Sequence, residues 1–547
     1  MFEIIIYSFI SNLMFYSYGH FLKYEKHTNK FNNINDRAIL GCIILSFIAV
    51  FLNFFFSLGK EINTLILIIG IIFFFFKRKK NFKKKEVYFL ILSSVITSIL
   101  IIYSNVNRPD AGLYHLPYVS FLNENKIIFG LSNIHFRFGT ISIIQYLSAI
   151  NNNLVFNDIG IVLPLASIVS FFIIYFFNNV IKIFKKIETI SLENLFSLFI
   201  IIFISYKINR YSSYGNDTVA HLSYFYLISK IIGKRNISLS FISLISVFIF
   251  LNKTTMILAL IIPLVFFIKD FKFKNFKLIY SFASIFFIFW ILKNIIISGC
   301  IIYPLEKSCI SSLNWTDVIE AKQQSTSGEA WSKDWPNRLD KKISMEEYNK
   351  NFNWVYSWSK SHGIYLFKVI LPYLLVVIFM YFFFNNKNSK NLIKFERNYY
   401  VIYLLLISLI GLGLFFLKFP LFRYGYSFLI TSFILLPLSF KINFDKDKLK
   451  YFSKVIFIIC IFIFSGKQFF RFGKNINSEH IWPRIYSFNE NIKISAKEMK
   501  FLDDFIIFKH DDVCMYSNSP CTNYELKQNL SILKKYNYYF VNIKNPL

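Results

Sequence analysis

KRKKNFKKK, residues 77–85, is the stretch that decides the fold. Seven of its nine residues are basic, and an apolar run borders it on each side, one ending near 76 and the next covering 87–103. Apolar runs close to the ~20 residues a bilayer needs, joined by short lysine-rich loops, are the pattern of a polytopic helical membrane protein. Loops rich in Lys and Arg stay in the cytoplasm, so residues 77–85 fix the orientation of everything around them. Counting back through two spans places the basic loop at 23–30 inside and the N-terminus outside. Counting forward through one span places residues 107–118, NRPDAGLYHLPY, on the outer face.

The whole composition agrees. Of 547 residues, 55% are hydrophobic, 69 are Phe and only 17% are charged, and the mean hydropathy is +0.47. The net charge of +30 is gathered in loops between apolar runs, which argues for positive-inside orientation and against a nucleic-acid partner. Strand alternation of the kind a membrane barrel requires is missing. MFEIIIYSF, the N-terminal run, has no basic leader and no small-residue cleavage site, and reads as a first span.

The expected fold class is an all-α polytopic membrane protein of about 14 transmembrane helices, with interfacial helices in the first large external loop and a small external C-terminal cap. Six segments follow. Residues 1–104 hold the first four spans and 105–153 an external loop of mixed polarity, read as helices lying in the interface. Residues 154–297 hold six central spans, with a tight outward hairpin at 251–255 (LNKTT) and a basic exit at Lys230. Residues 298–362 form a long external loop carrying Trp315, Trp331, Trp335, Trp354 and Trp358, suited to interfacial packing or to sugar rings. Residues 363–470 hold four more spans, and 471–547 the cap.

Polar residues of interest collect on the outer face in this topology. Arg108, Asp110, Tyr114 and His115 lie in the first external loop, Asp217 in a later one, Lys253 at the hairpin tip, and Arg423 with Tyr424 after the twelfth span. A carboxylate there can take a proton from a hydroxyl or hold a divalent cation, Mg or Mn, which makes Asp110 the metal candidate if one is used. Arg and Lys can bind a phosphate. Any one of these residues could equally cap a span, but Asp110 stands out because Pro, Gly, Tyr and His crowd around it. Cys300, Cys309, Cys514 and Cys521 fall in external segments, and among their three connectivities the two local pairs are expected. Cys42 and Cys460 lie in apolar runs and read as buried. No phosphate loop or dinucleotide fingerprint is present, which disfavours a nucleotide-driven pump.

RPDAGLYHLPYV resembles the Asp-x-x-x-Tyr-His-x-Pro element in the first external loop of bacterial glycosyltransferases of the GT-C superfamily. SGCIIYPLE (298–306), with Tyr303, is similar to the Gly-Asn-Pro-x-Tyr-Pro segment of their late loop, although the asparagine is missing. KFPLFRYGYSF resembles their Pro-x-x-Arg-Tyr element, and SYGNDTVAH their second acidic loop. The YHLP element and the tail DDVCMYSNSPCT also resemble uncharacterised bacterial multi-pass proteins. The resemblance implies sugar transfer from a polyprenyl-phosphate donor in the membrane lipid to a glycan, lipid or protein acceptor, outside the bacterial inner membrane. Asp110 would be the base or metal-linked group, with His115 and Asp217 as secondary catalytic residues. Arg108, Tyr114, Lys253, Tyr303, Arg423 and Tyr424 would bind substrate. Two other classes compete: an oligosaccharide polymerase or ligase working through arginines, and a lipid or sugar transporter, which should carry charges at mid-membrane depth.

Overall fold

A computed structural model describes residues 2–22, 34–76, 84–105, 109–185, 190–208, 210–233, 238–269, 278–384, 391–395, 398–440, 442–478, 481–483, 497–502 and 504–543. Arg108 and most of the basic loops at 23–30 and 77–85 lie outside these residues. The protein is mostly helical. Among the described residues, five helices are long and apolar enough to cross a membrane: Ile34–Asn53, Leu163–Phe184, Val355–Phe384, Tyr399–Lys418 and Lys446–Asn475. Shorter apolar helices accompany them, among them Leu239–Asn252 and Phe422–Leu438.

Burial sorts the five into centre and rim. In the most apolar 18-residue stretch of each, 83% of the residues are buried in Leu163–Phe184, 28% in Val355–Phe384 and only 17% in Lys446–Asn475. The rim helices turn Phe379, Phe382, Phe462 and Phe470 outward. That much open aromatic surface would be costly in water and is at no disadvantage in hydrocarbon.

The N-terminal helices are joined to this core by small residues and side-chain amides. Phe2–Tyr18 and Ile34–Asn53 approach so closely that a Cβ on Gly41 would overlap the Phe15 carbonyl, a contact open only to glycine. Ser11 donates to Asn151 at 3.1 Å, Asn12 to Ser93 at 3.1 Å, and Thr97 to Ser170 at 3.1 Å. Lys230 departs from its expected place in a basic loop. It is buried and pairs with Asp36 at 2.9 Å, linking Asp217–Gly233 to Ile34–Asn53.

Residues 105–153 are where the expected arrangement and the structure differ most. Leu116–Glu124 and Ile143–Asn151 do not lie flat with one open face; all nine residues of the second are buried, as are Leu116 to Leu122 of the first. Their polar side chains explain why. Asn123 donates to the Leu58 carbonyl at 2.6 Å, and Asn63 reaches back to the carbonyls of Ala149 and Asn152 at 2.9 and 2.8 Å. These groups satisfy the backbone where the short helices end, which makes deep packing affordable.

The cap corrects the all-α expectation. It contains a three-stranded sheet (Lys497–Leu502, Phe505–Lys509, Cys521–Thr522) and a hairpin (Leu530–Lys535 with Tyr538–Ile543). The hairpin turns through Tyr536 and Asn537, both at positive φ, the backbone of a two-residue turn that matches strand twist. Its strands lean on the helical part: Phe129 stacks on Phe540, and Tyr538 donates to the Phe54 carbonyl at 2.9 Å.

Candidate functional site

Asp110 stands just before a five-residue π-helix, Ala111–His115, that runs directly into Leu116–Glu124. The wide π turn is common at functional positions, and here it carries Tyr114 and His115 on consecutive residues. Asp110 Oδ2 accepts from Arg423 Nη1 at 3.2 Å. The two residues are 313 positions apart, so this contact closes the first loop onto the start of Phe422–Leu438.

Arg423 is held by a dense lattice. Its Nη2 donates to the Tyr424 hydroxyl at 3.1 Å. Its backbone carbonyl accepts twice, from Lys253 Nζ at 2.9 Å and from His221 Nε2 at 2.8 Å. Lys253 also pairs with Asp217 and sits 4.4 Å from the centre of the Tyr424 ring. The other nitrogen of His221 lies 2.7 Å from Ser427 Oγ, one turn along the same helix.

On the Asp110 side, Gln145 Nε2 lies 2.8 Å from His115 Nδ1 and 3.1 Å from the Tyr214 carbonyl. With the amide donating to both, Nδ1 is the acceptor and the imidazole proton sits on Nε2, toward Gly215. Burial pushes His115 down from 6.5 to about 4, against the opposing pull of Asp110 and Asp217. It is a neutral imidazole near pH 7. Burial, reinforced by the Asp110 charge, raises the Tyr114 phenol well above its ordinary value. Arg137 lies 4.9 Å over the Tyr114 ring, and its Nε is buried without a hydrogen-bond partner among the described residues.

Seven of the residues singled out from sequence therefore meet: Asp110, Tyr114, His115, Asp217, Lys253, Arg423 and Tyr424. Tyr303 does not join them. It is buried against Gly139, with Asp317 and Glu320 as its charged neighbours. Trp315 donates to the Ile295 carbonyl at 2.9 Å, Trp354 and Trp358 pack on Phe416, and Trp335 lies under Arg338. Trp331 stays exposed. Cys300 is bonded to Cys309 and Cys514 to Cys521, and Cys42 and Cys460 are free and buried.

Three members were not picked out in advance. Arg137 had a signal, as one of the few cations within a mostly apolar loop, and His221 stands four residues after Asp217, one helical turn on. Gln145 had none. For a metal ion the donors are few: no group of three or more His, Cys, Asp or Glu among the described residues is placed to hold one, and the near oxygen of Asp110 already faces a guanidinium.

These features define a mostly helical chain with helices long and apolar enough to cross a membrane and a charged cluster assembled from four distant stretches of sequence. The chain belongs to the family described as Domain of unknown function (DUF8201), whose model matches residues 1–430 and so includes every residue of the cluster. No curated protein and no solved structure matches the chain.

Proposed function

We propose that the protein is a membrane glycosyltransferase that moves a sugar from a polyprenyl-phosphate donor to an acceptor on the extracytoplasmic face of the bacterial inner membrane. The observation that carries this reading is the Asp110–Arg423 contact, backed by Lys253 and Asp217. One carboxylate that can accept a proton stands beside cations that can hold a phosphate as it leaves. In this reading every helix that lies over an expected span also crosses the membrane, as the roughly fourteen spans of the sequence reading require, and the cluster lies at their outer ends.

The roles divide by geometry. Asp110, 28% exposed at its side chain, is the proton acceptor for the incoming hydroxyl. Arg423, 43% exposed, binds the donor phosphate, and Lys253 holds the Arg423 backbone while adding charge behind it. Neutral His115 orients its neighbours by hydrogen bonding and leaves the charge to Asp110. Arg137 over Tyr114 gives the arginine-dependent polymerase or ligase reading its strongest support, because it brings a second guanidinium to a ring of the same cluster.

The test is transfer from polyprenyl-phosphate-linked sugars in proteoliposomes, using several sugars and a mixed acceptor pool. Transfer by the native protein and its loss in Asp110→Asn support the reading. Transfer that survives Asp110→Asn but fails in Arg423→Ala moves the polymerase or ligase reading to first place.

A further inference from the structure

The Asp110 arm is completed by residues from the far end of the chain. Gly112, inside the π-helix, accepts at its carbonyl from the Met515 N–H at 2.9 Å. A Cβ on Gly112 would run into Met515 Sδ and stand 3.2 Å from Val513 Cβ. The same loop goes on along Leu116–Glu124. Ser120 donates to the Ser517 carbonyl, the Tyr516 hydroxyl donates to Asn123 at 3.1 Å, and the Ser519 N–H donates to Glu124 at 2.7 Å. Asn152, just after Ile143–Asn151, also donates to Tyr516 at 2.6 Å. Both ends of the stretch from Gly112 to Glu124 thus have partners in residues 513–519.

That loop keeps its shape because it is closed at both ends. Cys514 and Cys521 are bonded, both sulfur-bearing residues are buried, and Pro520 and Thr522 accept from the backbone of Phe508 and His510 in the neighbouring strand. Without the covalent closure, the loop between Val513 and Ser519 would have to pay its ordering entropy out of a few hydrogen bonds.

We propose that oxidation of Cys514 and Cys521 is the step that sets the Asp110 arm in place, so that the charged cluster is finished only after the chain's end has folded in an oxidising compartment. Two thiols lose two protons and two electrons to the disulfide of a thiol oxidant, which leaves as a dithiol, and the new S–S bond locks the loop against Gly112. The inference concerns the placing of Asp110 and holds for whichever reaction the cluster performs. Met515 and the Cys514–Cys521 bridge are positioning elements in it.

Amide hydrogen exchange on the full-length protein in nanodiscs tests it. The comparison is between oxidised native protein, Cys514→Ser/Cys521→Ser, oxidised Gly112→Ala, and Cys300→Ser/Cys309→Ser as the control bridge. Exchange over residues 109–124 should rise about tenfold or more in the first two variants, with residues 163–184 unchanged and the control like native, since local opening is read segment by segment. If the serine pair does not fold, Cys300→Ser/Cys309→Ser protein reduced by a dithiol and alkylated gives the same comparison, since only the Cys514–Cys521 bridge is then left to reduce. Unchanged exchange at 109–124 in the bridge-less protein or in Gly112→Ala overturns the proposal. So does a rise that is equal at 163–184, which would make the bridge a general stabiliser.

Discussion

Removing the Lys253 ammonium while keeping its length, as Lys253→Met, is the perturbation whose size the structure determines most directly. Lys253 is 7% exposed, pairs with Asp217, donates to the Arg423 carbonyl at 2.9 Å and lies over the Tyr424 ring. Breaking a fully buried pair from one side costs about 3–5 kcal/mol. Asp217 is 34% exposed at its side chain, so water recovers part of that, and the pair's share falls to about 2 kcal/mol. The lost bond to the Arg423 carbonyl adds about 1 kcal/mol, giving a total of about 3 kcal/mol. Asp217→Asn should cost less, about 1–2 kcal/mol, because the ammonium keeps the carbonyl. The double variant should fall short of the sum by about 1–2 kcal/mol, the coupling of two groups in one network. The assay is equilibrium unfolding of the four proteins in mixed micelles under one detergent condition. Additivity within about 0.5 kcal/mol would refute the coupling, and with it the claim that Lys253 and Asp217 together hold the Arg423 arm.

Asp110→Asn should reduce sugar transfer by ~10²-fold or more while leaving the unfolding midpoint near native, since its partner Arg423 stays solvated. His115 contributes a pH dependence whose sign follows from its lowered value. The unfolded chain takes up a proton near 6.5 and the folded one only near 4, so stability should fall as pH drops from 6.5 toward 4. His115→Gln should flatten that slope, and a slope that survives unchanged assigns it elsewhere, His135 being another buried imidazole lowered by burial, to about 3. Gly41→Ala should cost about 3 kcal/mol or show as lost expression, because its Cβ has only the Phe15 backbone to displace. A folded Gly41→Ala at native yield would mean that the two N-terminal helices can separate without penalty.

What the sequence revealed and what it hid divide along physical lines. Long apolar runs and lysine loops are local signals, and helices stand over the expected spans. Asp110, Tyr114 and His115 share one short stretch, and their crowding was visible without knowing what they face. The pairing of Asp110 with Arg423 needed the tertiary fold, since they stand 313 positions apart. Residues 116–151 were misread as interfacial because their polar residues look like a wet face, whereas Asn123, Gln145 and Asn152 point their amides at backbone carbonyls and at one another inside the protein. The strands of the cap had a signal in the alternation around YNYYFVNI, but Tyr and Asn in a two-residue turn are a weaker mark than Asn-Gly. The tryptophans were read for their chemistry, yet their indole N–H groups at Trp315 and Trp358 go to backbone carbonyls.

The cluster is built from two stiff arms joined by a soft bridge. One arm is Arg423, whose backbone is fixed by Lys253 and His221 and whose side chain rests on Tyr424. The other is the π-helix, fixed by Gln145 through His115 and by Met515 through Gly112. Between them stands one ion pair at 3.2 Å with both side chains partly in solvent, and such pairs contribute only ~0–1 kcal/mol. Separating the arms at this point therefore costs far less than deforming either of them. On the proposed function, a donor phosphate at Arg423 would replace the Asp110 carboxylate in this weak pair, and the carboxylate it releases would stand unpaired beside the newcomer, where the like charge favours its taking up a proton. In the proposed reaction that exchange couples phosphate binding to the freeing of the base. Because the exchange rests on charge while the fit rests on shape, Arg423→Lys should retain binding in part but lose the planar, two-pronged fit to phosphate, lowering donor affinity by about tenfold with the carboxylate still displaced. Donor affinity in Arg423→Lys equal to native would show that the guanidinium is not the group the donor displaces.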